Sequence, residues 1–331
     1  IHVCTPRKTP YALQGSAQAT LLELERLGVT RKVTEPTEWV SPCQFVPKKN
    51  GGARLVADLV RLNKFIKRKV HPFTPAKDLL ALIPSTAKFF AVFDCKHGYW
   101  QIELDERCQL LTTFLTEWGT WCYRRLPMGL ICSGDIFCER TDQALTGLEG
   151  VFKLVDDVLV YADTIKDLQK RIDRLFKRCQ EHNITLGDGK VQAGTEVQFG
   201  GYVVNDYGYK PDPSKIQAIR DYPEPKDLTN LRSFVGLANQ FNDFSPDLKH
   251  AMEPLKGLLS QKNAWVWNHD HSKAMTDVKE IIMSPQCLAR FDPTRPIVLM
   301  TDASRIGLGF ILVQPDAKDP AFDENGSLVT T

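Results

Sequence analysis

The chain has 331 residues, 43% of them hydrophobic and 25% charged, with a formal net charge of +2. This composition excludes a disordered chain and is long enough for two or three domains. No run of about 18 apolar residues occurs, which argues against a membrane-spanning helix, and the N-terminus "IHVCTPRKTP" has no apolar segment of signal-peptide type.

In chain order, "SAQATLLELERLGV" predicts an amphipathic helix, with Leu21, Leu22, Leu24 and Leu27 crowding one side and Gly28 as its stop. "CQFVPKK" and "ARLVADL" predict strands joined through "KNGG", a hairpin signal. "TPAKDLLALIP" predicts a helix ending at Pro84, and "KFFAVFD" an apolar strand stopping on Asp94. "YWQIEL" and "LTTFLT" read as further strands, "TEWGTWCYRRLP" as a hairpin turning at Gly119, and "SGDIFCERTDQAL" as a helix. "FKLVDDVLVYAD" follows as strand, Asp-Asp, strand, and "IKDLQKRIDRLFKRCQEH" as a strongly amphipathic helix. This order predicts an α+β domain with an antiparallel sheet. After about residue 208 the pattern is helical, with Asp212 and Asp227 as N-caps and Pro213 at the first helical position. "RPIVLMTDASRIGLGFILVQ" then predicts a hairpin carrying Asp302 at the end of its first strand.

The nine cysteines are odd in number and scattered without a CxxC pair, so reduced thiols in an intracellular protein are expected. The absent initiator Met fits a trimmed chain or a piece of a polyprotein. His269 and His271 in "NHDHSK" lack a second ligand pair and are expected in an exposed polar loop. From Arg31 to His71 ten Lys/Arg stand against three acids, a local charge of +7. That run is either a solvated face or a phosphate-binding surface. The pair Asp156-Asp157 is the stronger signal. Adjacent carboxylates inside an apolar run are costly unless they emerge at a hairpin tip. A divalent cation is the natural occupant there, because it cancels their repulsion. Asp94, at the end of another apolar strand, supplies a third carboxylate, although an acidic surface turn is the alternative for "VDDV" alone.

These stretches, in this order, resemble the reverse transcriptases of LTR retrotransposons and retroviruses, and most of all those of gypsy-type elements. "EPTEWVSPCQFVPKKNGGARLVADLVRLNKFIKR" resembles the fingers, and "FAVFDCKHGYWQIEL" the strand with the first catalytic Asp. "RRLPMGLICSGDIFCER" resembles the Leu-Pro-x-Gly segment, and "LVDDVLVY" the x-x-Asp-Asp hairpin. "VQFGGYVVNDYG" resembles the primer grip, "LRSFVGLANQFNDF" a thumb-region helix, and "IVLMTDASRIGLGFIL" the first hairpin of a ribonuclease H domain.

The resemblance implies a right-hand polymerase of fingers, palm and thumb with an antiparallel palm sheet, plus the start of a ribonuclease H-like fold. Its parts would be an N-terminal extension at 1–30, fingers at 31–72 and 101–136, and palm at 73–100 and 137–207. A thumb or connection-like helical region would follow at 208–293, and an incomplete ribonuclease H-like segment at 294–331. The implied activity is RNA- and DNA-templated extension of a primer with dNTPs. Asp94, Asp156 and Asp157 would hold two Mg²⁺ ions, or Mn²⁺, with the backbone of Cys95. Lys49, Arg54, Tyr99 and Met128 would face the incoming dNTP, with Tyr99 crowding the sugar 2′ position; plain core packing is the competing reading of that ring. Gly200, Gly201 and Tyr202 would form the primer grip. Asp302 alone falls in the ribonuclease H motif, so that activity is not expected from this chain by itself. Implied partners are RNA/DNA and DNA/DNA primer-templates, dNTPs, and a second copy or other polyprotein products, with no membrane. The implied setting is intracellular, in a cytoplasmic virus-like particle or the nucleus. The sequence departs from the family at Leu154, where Tyr is usual, at Val60, where Arg is usual, and at Met128, the variable position of Leu-Pro-x-Gly. The alternative function is a weakly active or non-catalytic nucleic-acid-binding protein or structural subunit descended from such an element.

Overall fold

A computed structural model of the chain describes residues 2–48, 51–245, 247–259, 265–284, 288–304 and 307–314. By their internal contacts the described residues form two compact units, one drawn from 1–74, 93–160 and 169–191, the other from 75–92, 161–168 and 192–331.

The elements that matter for the site begin with helix α1, Gln14–Arg26, which buries Ala17, Leu21 and Leu24. Gly28, at φ 67°, takes the left-handed conformation that ends such a helix. Strands β1, Trp39–Pro47, and β2, Ala53–Ala57, form the expected hairpin, in register from Cys43↔Ala57 to Pro47↔Ala53. Next come β3, Phe89–Cys95, then β4, Phe114–Thr116, and β5, Gly119–Tyr123. Helix α2, Ser133–Leu145, leads to the hairpin of β6, Val151–Leu154, and β7, Asp157–Ala162. Helix α3, Ile165–Glu181, and strand β8, Leu186–Gly194, follow.

In the first unit, β1, β2, β4 and β5 share a sheet with the short strands His2–Val3 and Thr30–Lys32. Its core holds Leu21, Leu24, Phe45, Leu59, Phe114 and Trp121, and each such side chain stabilises by roughly 1.5–3 kcal/mol when fully buried. The site lies on another sheet, of order β8-β3-β7-β6. Strand β3 buries four consecutive residues, Phe90 to Phe93, which explains its unbroken apolar sequence. Phe93 also meets Phe176 of α3 edge to face at 5.3 Å.

Two predicted strands come out differently. "YWQIEL" starts as a 3₁₀ turn over Gly98–Gln101, and only Glu103 makes a bridge, to Arg125. His97 turns the chain at φ 52°, and the Gln101 amide donates to the carbonyls of Lys96 and Thr185, diverting the segment from sheet pairing. "LTTFLT" opens with a 3₁₀ turn at Leu110–Thr112. There the Thr112 and Thr113 hydroxyls donate back to the carbonyls of Gln109 and Leu110, both at 2.7 Å.

The second unit contains β9, Glu196–Phe199, β10, Tyr202–Asn205, and β11, Gly208–Pro211, as an antiparallel meander. Helices α4, Pro213–Arg220, α5, Leu228–Ala238, and α6, His269–Met283, surround a core of Leu231, Phe234, Leu248, Met252 and Val278. Asp212 and Asp227 cap α4 and α5 as expected, accepting from Ser214 N–H at 2.8 Å and Asn230 N–H at 2.7 Å. His269 and His271 are in the first turn of α6 rather than in a loop. The His271 ring accepts from the Asn268 N–H at 3.2 Å in a capping box. Strands β12, Val298–Ser304, and β13, Gly307–Val313, make the hairpin expected near Asp302, which pairs with Gly309. Among the described residues, no helix is long and apolar enough to cross a membrane.

Candidate active site

The β6–β7 hairpin pairs Leu154 with Asp157, so Val155 and Asp156 form a two-residue turn. Asp156 is exposed, while Asp157 begins β7 half-buried. Asp94, half-buried near the end of β3, is brought alongside because Cys95 N–H donates to the Asp156 carbonyl at 2.8 Å. Asp94, Asp156 and Asp157 each offer a carboxylate oxygen, and these lie within 4.8 Å of one another. Two unit charges at that range repel by roughly 3 kcal/mol at an effective dielectric of about 20. The strain is visible at Asp157. Burial first, then the charges of Asp156 and Asp94, push its carboxyl up to about 6, with Lys190 opposing. Lys190 of β8 is 3.6 Å from Asp94 Oδ2.

A site of carboxylate oxygens, with no imidazole or thiolate among them, suits Mg²⁺ or Mn²⁺ better than zinc. The crowding that raises Asp157 is what a divalent cation would relieve, so the residues fit the ion the sequence suggested. The Cys95 thiol is buried and pushed up to about 12 by that burial, so it is not a thiolate ligand at neutral pH.

Tyr99 belongs to the 3₁₀ turn after β3, and its ring meets Phe137 of α2 edge to face at 5.5 Å. Gly98 makes this approach feasible, since a Cβ there would be 2.8 Å from the Phe137 ring. The Tyr99 hydroxyl is raised by partial burial first and then by Asp156. The ring is therefore both packed and within electrostatic reach of the Asp156 carboxylate. Met128 is exposed on a loop that Asn63 grips twice: Asn63 Nδ2 donates to Gly129 O at 2.8 Å, and Ile131 N–H donates to Asn63 Oδ1 at 2.9 Å. Sequence reasoning did not single out Asn63; "RLNKF" offers only a polar residue at a helix end. Arg54 is exposed on β2, opposite Val46. Lys49 lies outside the described residues, and so does the side chain of Asp302.

The basic run is partly internal. Arg31 pairs with Glu35 at 2.7 Å, Arg68 with Asp135 at 2.7 Å, and Lys69 with Glu139, while His71 Nε2 meets Asp142 at 2.7 Å. Asp135, Glu139 and Asp142 form a stripe on α2, so the segment around 68–71 is strapped to that helix. Lys48, Arg54, Lys64 and Lys67 are exposed and make no ion pair among the described residues.

In the second unit, Gly200 and Gly201 form the β9–β10 turn at φ 59° and 81°, the two positive values that a two-residue hairpin favours. Tyr202 packs edge to face on Tyr209 at 5.7 Å, and Lys215 Nζ lies 5.5 Å over its ring. A Cβ on Gly201 would collide with the Lys215 ammonium.

Residues 46–204 match the family described as reverse transcriptase (RNA-dependent DNA polymerase), and residues 267–322 match the RNase H-like domain found in reverse transcriptase. The chain is 31% identical over 313 residues to the retrovirus-related Pol polyprotein from transposon gypsy of Drosophila melanogaster, covering 88% of this chain and 30% of that protein. It is 29% identical over 318 residues to the Pol polyprotein from transposon 412 of the same species, covering 93% and 25%. It is 27% identical over 281 residues to the transposon Tf2-3 polyprotein of Schizosaccharomyces pombe, covering 84% and 21%. The chain thus spans 21–30% of the length of these curated relatives. Among solved structures, the foamy viral protease-reverse transcriptase in complex with dsDNA matches at a TM-score of 0.84 and 22% identity, over 94% of this chain and 65% of that one. Its complex with RNA/DNA hybrid matches at 0.78 and 22% identity, over 91% and 41%. At that identity the likeness is one of fold.

Proposed function

Residues 46–204 are a reverse transcriptase domain of the LTR-retrotransposon type, and we propose that the chain is a DNA polymerase that extends a primer with dNTPs on RNA and DNA templates. The observation that carries this is the convergence of Asp94, Asp156 and Asp157 at one end of a sheet within the matched region. These carboxylates would hold two Mg²⁺ ions, with the Cys95 backbone alongside. Bound there, the metal supplies charge stabilisation at the phosphoryl group and lowers the pKa of the primer hydroxyl. The chain's own residues do the rest. Lys49 and Arg54 grip the triphosphate and neutralise its charge. Tyr99, braced on Phe137, narrows the space beside the sugar and favours dNTPs over rNTPs. Met128 lines the nucleotide on the loop that Asn63 fixes. Gly200, Gly201 and Tyr202 form a primer grip.

The solved neighbours are complexes with RNA/DNA hybrid and with dsDNA, which supports both kinds of duplex as partners. An intracellular setting, in a cytoplasmic virus-like particle or the nucleus, and association with a second copy or other polyprotein products belong to the same proposal. The test is primer extension on poly(rA)/oligo(dT) with dTTP and either Mg²⁺ or Mn²⁺. Extension that depends on the metal supports the reading. Tight duplex binding without extension under either metal would replace it with a non-catalytic nucleic-acid-binding role.

A further inference from the structure

Strand β6 reads Val151-Phe152-Lys153-Leu154, and the lysine is out of place in it. The Lys153 side chain is 6% exposed. A buried ammonium is costly unless paired and hydrogen-bonded. Two partners meet that need. Asp142 of α2 is 3.1 Å from Lys153 Nζ through Oδ1, and its other oxygen takes His71 Nε2 at 2.7 Å. The second partner is in the catalytic hairpin itself: Lys153 Nζ donates to the Val155 carbonyl at 3.3 Å.

Val155 is the first central residue of the turn and has φ 55°. Glycine or asparagine is the usual occupant of such a position, and a β-branched residue there is an outlier that the surroundings must hold in place. The Val155 carbonyl belongs to the peptide entering Asp156. The Asp156 carbonyl belongs to the peptide leaving it, and that one is held by Cys95 N–H at 2.8 Å. Both peptides flanking the most exposed of the three carboxylate residues are thus pinned, one from β3 and one from Lys153.

We propose that Lys153 is a positioning residue for Asp156 and Asp157, fixing the strained turn through the Val155 carbonyl while Asp142 and His71 anchor it to α2. The inference rests on the polymerase reading for its role in catalysis. Residues that orient metal ligands in this way are worth about 10–100-fold in metal affinity or activity.

The test compares Lys153→Met, which keeps the stem and loses the donor, with Lys153→Gln, which keeps an amide donor and loses the charge, and with Asp142→Asn. Five quantities are read: kcat and KM for dTTP, duplex Kd, thermal midpoint, and Mn²⁺ binding by electron paramagnetic resonance without nucleotide. Lys153→Met should lower kcat and Mn²⁺ affinity by about tenfold or more, with KM and duplex Kd nearly unchanged. Lys153→Gln should recover most of both, and Asp142→Asn should fall between. Lys153→Met with a lower midpoint but wild-type kcat and Mn²⁺ affinity per folded molecule would overturn the inference. Equal losses in the Met and Gln variants would do the same. If Lys153→Met does not fold, Asp142→Asn decides: unchanged kcat and Mn²⁺ affinity there also overturn it. A wild-type chain that fails to extend primers would instead remove the polymerase reading, while the Mn²⁺ comparison would still report on the turn.

Discussion

The Cys95 N–H and the Asp156 carbonyl are joined by a 2.8 Å hydrogen bond that ties the end of one apolar strand to the turn of a hairpin. Sixty-one positions separate the two residues, yet this bond sets Asp94 beside Asp156 and Asp157. The approach of the two strands is therefore a property of backbone pairing, and substitutions of the three carboxylates should leave the sheet intact.

Asp94→Asn, Asp156→Asn and Asp157→Asn should each reduce primer extension by roughly 1,000-fold, the upper range for removing a group that stabilises developing charge. Duplex affinity should change little, because the lost function is metal binding rather than contact with the nucleic-acid backbone. Filter binding beside extension assays checks this. Near-normal extension by Asp94→Asn or Asp156→Asn would remove those residues from the metal site.

The pH dependence of stability should carry Asp157's signature. Its folded pKa is raised from 3.8 to about 6, so between those values the folded state binds more protons than the unfolded one. Stability then falls as pH rises through that window, and the penalty is complete above about 6. The shift corresponds to about 3 kcal/mol at full strength, and the side chain's partial exposure reduces it to roughly 1 kcal/mol. Chemical denaturation of the metal-free chain at pH 4.5 and pH 7 should show a smaller decline for Asp157→Asn than for wild type. Mg²⁺ at pH 7 should recover stability in wild type more than in the variant. Identical pH responses of the two proteins would contradict the crowding.

Tyr99 carries two readings that one experiment separates. Its ring packs on Phe137, and its hydroxyl feels Asp156. Tyr99→Phe should keep both the packing and the selectivity for dNTPs, whereas Tyr99→Ala should raise rNTP incorporation relative to dNTP. Single-turnover incorporation of dTTP and UTP measures the ratio. An unchanged ratio in Tyr99→Ala, with a lowered thermal midpoint, would make the ring purely structural.

What was legible in the sequence follows from what is local. Asp94 and the Asp156-Asp157 pair stand out because each ends or interrupts an apolar run, and a strand's own pattern reveals that. The caps Asp212 and Asp227 were legible for the same reason. Arg68 and Asp135 are 67 positions apart, and no periodicity links them, so the charge run looked freer than it is. The 3₁₀ turn at Gly98–Gln101 was missed because the bonds that impose it come from Thr185, far along the chain. Lys153 did offer a signal, a charge inside an apolar strand, but its meaning depends on Asp142 and on the backbone of Val155.

The division of the basic run into paired and unpaired cations makes a prediction about salt. Each Lys or Arg that neutralises a phosphate releases counterions, so log affinity for a duplex falls with log salt in proportion to the number of such contacts. Arg68 and Lys69 already face Asp135 and Glu139 on α2. Arg68→Ala should thus lower the thermal midpoint, since Asp135 is held below the usual carboxylate range first by Arg68 and then by the His71 N–H. It should leave the salt slope nearly unchanged. Arg54→Ala and Lys64→Ala remove exposed cations without an ion-pair partner among the described residues. Each that touches a phosphate should reduce the slope by about 1 while sparing the midpoint. Fluorescence anisotropy on a primer-template across a salt series, beside thermal melts, gives both quantities. A reduced slope in Arg68→Ala with an unchanged midpoint would show that the strap opens onto nucleic acid, and the run would then act as one continuous phosphate-binding surface.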